Sequence, residues 1–172
     1  MRCIPTQDEA PRSLSDALHV KIRPARKDEA QLLSAIALQA KAHWGYPAET
    51  LRSWETQLKV TSEDVASKPI YVGEVEEVVV GFYSLAMSGQ TWELDNLWIL
   101  PEFMHRGIGR TLLNHALDLA AKGGARSVVV DADPNAESFY LECGATRYAA
   151  VPAPIEGQPE RIRPQLRFER AT

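Results

Sequence analysis

The stretch Met104-His105-Arg106-Gly107-Ile108-Gly109 holds the residues with the clearest chemical meaning. It follows an apolar run ending in Ile99-Leu100-Pro101 and precedes an amphipathic one. Glycines at 107 and 109 allow a tight turn and let a ligand come close to the main chain. A helix opening there turns its unpaired N–H groups and the positive end of its dipole toward whatever lies above, which makes an anion site. His105, Arg106 and Arg110 add positive charge. A Gly-x-Gly before a helix is also an ordinary tight turn, so spacing alone leaves that reading open. Two other phosphate motifs are excluded. No Gly-x-x-x-x-Gly-Lys-Ser/Thr is present, and Leu112 stands where a dinucleotide fingerprint has its third glycine.

Glu93 and Asp95 stand two apart in a run of strand character, residues 91–100. Alternation puts both on one face and Trp92, Leu94 and Asn96 on the other, a parity that a β-bulge would change. Either carboxylate could take a proton, and either could be a solvated strand residue. Tyr140 offers a phenol beside Phe139, which is equally the composition of a packed aromatic pair. His43, Trp44 and Tyr46 could shape a ligand pocket or cap a core. Cys143 reads as a small core residue at a helix end rather than a nucleophile. His19 and His115 lack metal-ligand spacing and no Cys/His cluster exists, so no metal is expected.

These residues need a scaffold, and the patterning supplies one. Residues 19–25 read as a short strand. A helical pattern starts at Asp28, with Leu32, Leu33, Ile36, Ala37 and Ala40 on one face, and stops near Gly45 and Pro47. A second helix is expected over 47–58, then a polar connector over 61–69. Runs 70–76, 78–87 and 91–100 predict an antiparallel meander, with a hairpin turn at Glu76-Glu77. The helix opening near Gly107 has Ile108, Leu112, Leu113, Ala116, Leu117 and Ala120 on its apolar face and ends at Gly123-Gly124. Residues 127–132 read as a buried strand, Asp133-Pro134 as a helix start, and 146–151 and 162–169 as two last strands. The result is a mixed α/β domain around one central sheet.

The chain has 172 residues, 45% hydrophobic and 24% charged, with a formal net charge of −4. That is one soluble domain of ordinary size, residues 18–172, behind a polar tail over 1–17 expected to be flexible. The acidic balance argues against nucleic acid as a partner. No apolar run is long enough for a membrane span, and the first residues lack the apolar core of a secretory signal. Two cysteines, Cys3 in the tail and Cys143, fit a reducing cytoplasm rather than a disulfide framework.

The turn motif resembles that of the GNAT superfamily of N-acetyltransferases, Gln/Arg-x-x-Gly-x-Gly/Ala after a strand ending in an apolar-x-Pro element. Met104 departs from it, standing where Gln or Arg is usual. A second stretch, Asp133-Pro134-Asn135-Ala136-Glu137-Ser138-Phe139-Tyr140 with Gly144-Ala145, is similar to that family's Asn-x-x-Ala/Ser-x-x-Phe-Tyr segment. The likeness spans roughly residues 20–170 and implies a GNAT-like fold of about seven strands flanked by about four helices. It implies acetyl-CoA as cosubstrate, bound by the main chain of residues 104–110, by Leu97, Trp98 and Ile99, where the strand splays from its neighbour, and by Asn135 and Phe139. Tyr140 is then the acid that protonates the departing thiolate, and Glu93, eleven positions before Met104, the base. His43, Trp44, Tyr46 and Asp95 border the acceptor, a primary amine of a small molecule or peptide. Pairing through the C-terminal strands would give a homodimer. A non-catalytic acyl-CoA sensor is the competing reading.

Overall fold

A computed structural model describes residues 18–169; the tail expected over 1–17 lies outside the described residues. β-Branched and aromatic residues build β2 (Ile70–Val75), β3 (Val78–Ala86) and β4 (Thr91–Ile99), an antiparallel meander as predicted. Glu76 and Glu77 sit at φ 50° and 65°. A two-residue hairpin turn needs that left-handed pair, which glycine or asparagine adopts more cheaply. β1 (Lys21–Pro24) pairs with β2. β5 (Ser127–Asp131) lies parallel to β4, β7 (Ile162–Glu169) antiparallel to β5, and β6 (Thr146–Pro152) forms the far edge. The sheet order is β1-β2-β3-β4-β5-β7-β6.

Helices cover both faces. On one, α1 (Ala30–Ala42) buries Leu33, Ile36 and Ala37 against Val72 and Phe82, with α2 (Ala48–Leu58) beside it. On the other, α4 (Ile108–Lys122) and α5 (Glu137–Glu142) pack Leu112, Leu113, Ala116 and Tyr140 against Tyr83, Leu85 and Leu94. Gly123 ends α4 where any side chain would strike the Trp92 ring, 2.3 Å from an ideal Cβ.

Three expectations need correction. The connector over 61–69 contains a short helix, α3 (Ser62–Ser67), because Thr61 and Asp64 form a capping box at its start. With α3 there are five α-helices among the described residues, and the seven-stranded mixed sheet flanked by helices is as expected. Leu32 is 45% exposed rather than on the buried face of α1. The third correction concerns β4. Ser84 pairs with Asn96 and Leu85 with Leu94, so Asp95 is an extra residue with no partner on β3. Past this bulge the parity reverses. Trp92, Leu94, Leu97 and Ile99 face α4, whereas Glu93, Asn96 and Trp98 face α1. Asn96 therefore leaves the face that simple alternation assigned to it. It donates to Ser84 Oγ at 2.8 Å and accepts from Trp98 Nε1 at 2.9 Å.

Candidate active site

The turn before α4 forms as its glycines suggest. His105 and Gly107 take φ 60° and 81°, and nothing lies within 4 Å of the place a Gly107 side chain would occupy. The first hydrogen bond into the helix runs from Thr111 N–H to the Gly107 carbonyl at 3.0 Å. Among the described residues, the N–H groups of Ile108, Gly109 and Arg110 have no main-chain acceptors at the positive end of a 15-residue helix. His105, Arg106 and Arg110 are exposed around this mouth, and the Arg106 guanidinium stacks 5.4 Å from the Phe103 ring. Met104 is half-buried and offers no strong donor. Gly109 has a separate role: an ideal Cβ there would lie 3.4 Å from the Phe139 ring and 3.8 Å from Ile99, so α5 and the end of β4 close on the turn.

The cleft beside this mouth comes from β4 and β5. Their parallel pairing covers only Thr91–Glu93 against Ser127–Val129. β5 stays paired with β7 to Asp131 while β4 runs on to Ile99, so beyond Glu93 the β5-facing edge of β4 has no ladder partner. Leu97, Trp98 and Ile99 lie on that free edge. Glu93 stands at the fork. Partial burial, reinforced by Asp95 and Asp131, holds its carboxyl above the ordinary carboxylate range, with Lys68 opposing. Asp95 is exposed at the bulge, 3.4 Å from Lys68 Nζ.

Tyr140 is buried on α5 between Phe139 and Phe168, with ring centroids 5.1 and 6.4 Å away. Burial, with the nearby Cys143 and Asp133, pushes its phenol above the usual value, so it stays protonated at neutral pH. Its hydroxyl has no hydrogen-bond partner among the described residues.

The segment at 43–46 divides. His43 is exposed and Trp44 half-buried, the two rings 5.5 Å apart, but Tyr46 turns inward to a cluster that sequence reasoning missed. Asp133, read above only as a helix start, is its hub. It accepts from Lys41 Nζ, from Tyr46 Oη at 2.9 Å and from Asn135 N and Nδ2, both at 2.9 Å. Asn135 also donates to Tyr46 Oη at 3.1 Å. Arg161, just before β7, donates to Tyr46 Oη at 3.3 Å and to the Ala153 carbonyl at 3.0 Å. The Lys41 ammonium and the Arg161 guanidinium both lie over the rings of Tyr46 and Trp54, 4.5 to 5.3 Å from their centroids. Burial pulls the Lys41 ammonium below its ordinary value, against the pull of Asp133. Burial opposes the charge on Asp133 too, but hydrogen bonding and attraction from Lys41, aided by Asn135 and Tyr46, keep it below the ordinary carboxylate range. One signal was available: Lys41 falls at i+8 from Leu33 and i+4 from Ala37, so it continues the buried stripe of α1. Arg161 sits in a Pro/Gly-rich loop that carries none.

Among the described residues no group of His, Cys, Asp and Glu could hold a metal ion, and no helix is long and apolar enough to cross a membrane. Comparison with curated proteins finds no match. Solved structures do share the fold. The PaiA N-acetyltransferase of Thermoplasma acidophilum, in complex with coenzyme A, superposes with a TM-score of 0.74 at 19% identity over 88% of this chain and 99% of that one. The Salmonella typhimurium protein yncA, solved with acetyl-CoA, gives 0.65 at 21% identity over 88% and 94%. A spermidine N-acetyltransferase chimera of Vibrio cholerae and hSSAT gives 0.66 at 17% identity over 87% and 95%. The model of the acetyltransferase (GNAT) family matches residues 32–145, two-thirds of the sequence and both glycine-turn and Phe-Tyr segments. With the amide-lined helix mouth and the forked strands already in place, the chain belongs to the GNAT acetyltransferase family.

Proposed function

We propose that the protein transfers an acetyl group from acetyl-CoA to a primary amine of a small molecule or peptide, with both reactants bound together. The observation that carries this reading is the junction of two features. A helix mouth with free amides opens beside a strand edge without a partner, and at their meeting point an ideal Cβ on Gly109 would lie 3.8 Å from Ile99. An extended, polyanionic thioester fits that geometry, its phosphates on the mouth and its arm along the free edge.

Acetyl-CoA supplies the acyl group as a thioester open to attack by an amine. Main-chain N–H groups of residues 107–110, with His105, Arg106 and Arg110, would take the pyrophosphate. Met104 supports its turn but adds no polar contact. Main-chain donors at Leu97–Ile99 would polarise the carbonyl oxygen. Glu93 would take the proton from the amine, directly or through water, and its raised pKa makes it a stronger base than an ordinary carboxylate. Tyr140 would protonate the departing sulfur. Phe139 sets Tyr140 by packing on Gly109, and Asn135 is held by Asp133 and Tyr46 at the start of α5. His43, Trp44, Tyr46 and Asp95 would border the acceptor. The same reading takes residues 18–172 as the catalytic domain, in a reducing cytoplasm that the free thiol of Cys143 suits.

The test is titration of acetyl-CoA followed by measurement of CoA release across a panel of amines. Turnover with one amine class supports the reading. Tight binding without turnover on any amine would favour the sensor instead. Tyr140→Phe should lower kcat by about 100-fold while leaving acetyl-CoA affinity unchanged; equal turnover would remove Tyr140 from the chemistry.

A further inference from the structure

We infer that the acceptor carries a carboxylate as well as an amine, and that Arg161 and Lys41 are its specificity-determining residues. The inference rests on the acetyl-transfer reading and deepens it. Two cations, Lys41 and Arg161, share one carboxylate, Asp133, in a cluster whose charged side chains are only 4% to 11% exposed. Neither forms an ion pair with another acid among the described residues. Asp133 is already saturated by Lys41, Tyr46 and Asn135, and its closest approach to Arg161 is 3.6 Å. Arg163, the next cation along β7, is balanced separately by Asp131 at 3.1 Å. One positive charge is therefore left over in a place where an unbalanced charge is costly. Among the described residues, the buried Nε atoms of Arg161, Arg163 and Arg167 all lack an acceptor, but Arg163 and Arg167 each have an acid of their own, Asp131 and Glu169, and Arg161 has only a share of Asp133. A guanidinium edge with a free Nε is the donor pair that grips a carboxylate in two parallel hydrogen bonds.

The cluster is also in the right place. Asp133 follows β5 by two residues, at the end where β4 and β5 have parted, and its charge reaches Tyr140. Asp131, at the tip of the same strand, acts on Glu93. The cover over the cations is the half-buried indole of Trp54. It is carried by α2, whose only buried residue is Leu58, and it packs edge-on against Tyr46 at 4.9 Å, so a ligand reaching the cations must turn this ring aside. An amine bearing extra positive charge, such as a polyamine, would meet repulsion there, whereas an amino acid or other amino carboxylate would complete the charge balance.

The experiment compares amino acids of increasing amine-to-carboxylate separation with their own carboxamides, and with spermidine, as acceptors of the full chain. The best carboxylate should exceed its carboxamide in kcat/KM by at least about tenfold, as a charge-assisted bidentate pair implies. Arg161→Gln should erase that ratio by raising KM for the carboxylate, with KM for acetyl-CoA unchanged. Equal use of carboxylate and carboxamide, or preference for spermidine, overturns the inference. Should Arg161→Gln fail to fold, the wild-type ratios decide. Calorimetric titration of the same pairs into the CoA-loaded protein gives a readout free of chemistry. Carboxylates that bind there without being acetylated would uphold the anion site and sink acetyl transfer. Acetylation with no carboxylate preference, with carboxylate and carboxamide binding alike, would do the reverse.

Discussion

At Glu93 a carboxylate sits where two strands part, and its surroundings set its ionisation. Partial burial raises its pKa first, and the negative charges of Asp95 and Asp131 raise it further. In the unfolded chain those influences vanish, so ionised Glu93 opposes folding. Its contribution is fully favourable below the ordinary carboxylate pKa and is lost as pH rises through the raised one. Glu93→Gln should therefore raise Tm at pH 7, with the gain disappearing near pH 4. The same variant should lose kcat/KM by about 100-fold, together with the acidic limb of the pH–rate profile. A Tm that does not move and turnover that persists would return Glu93 to an ordinary strand residue. The carboxylate itself was legible in the sequence, since its type and its distance from the glycine turn both mark it. The face opposite was not. Residues 96–99 are all half-buried, so no polar–apolar alternation remained to betray the bulge at Asp95.

Strands and helices were legible wherever a β-branched run or a clean period of 3.6 filled a whole element, as in β2, β3 and α4. α3 was not, because six residues are too few for periodicity and its capping box uses Asp64 in place of the usual glutamate. At this scale the glycines separate structure from function. An ideal Cβ on Gly81 would lie 2.6 Å from Ile99 Cδ1 and 2.7 Å from the Trp98 carbonyl oxygen, a main-chain atom that cannot swing aside. Gly81→Ala must push β4 away from β3 at Ile99, the far end of the edge of β4 that β5 leaves free. It should cost about 1–3 kcal/mol in chemical denaturation and weaken acetyl-CoA binding through the displaced edge. Gly107 has open space around it, so the cost of Gly107→Val is backbone strain at φ 81°, about 1–2 kcal/mol. Its main effect should be on acetyl-CoA affinity, measured by calorimetry, since the strain falls on the helix mouth itself. Affinity that survives Gly107→Val would argue that the mouth does not hold the phosphates. The hairpin gives a control remote from the site. Glu77→Gly relieves a left-handed residue at φ 65° and should raise stability by about 0.5–1 kcal/mol without changing turnover.

Across the whole molecule, the Asp133 cluster draws together parts of the chain that the sequence keeps far apart. Lys41 and Asp133 are 92 positions apart, and Tyr46 and Arg161 are 115. No local pattern announces such a meeting; only Lys41 on an apolar stripe hinted at it. The cluster could serve stability, binding or both, and a thermodynamic cycle separates these. Asp133→Asn leaves two buried cations without their acid and should destabilise by about 3–5 kcal/mol at pH 7. Asp133 ionises below the ordinary carboxylate range when folded, so its contribution is present above that range and is lost as pH falls through the lowered value. The wild-type Tm should accordingly fall on acidification, and the variant's curve should be flatter. Lys41→Met removes a cation that burial already disfavours, and the double variant Lys41→Met/Asp133→Asn removes that pair and strands one cation, Arg161, where Asp133→Asn strands two. If Lys41 and Asp133 stabilise the fold through each other, the double variant should lose less than the sum of the singles, whereas a loss equal to that sum would mean that the two are not coupled. A buried pair more often recovers much of the loss when both members go, because the penalty lies in stranding one charge. Recovery of stability in the double variant, together with loss of discrimination between amino acids and their carboxamides, would show that the charges are kept for what they bind.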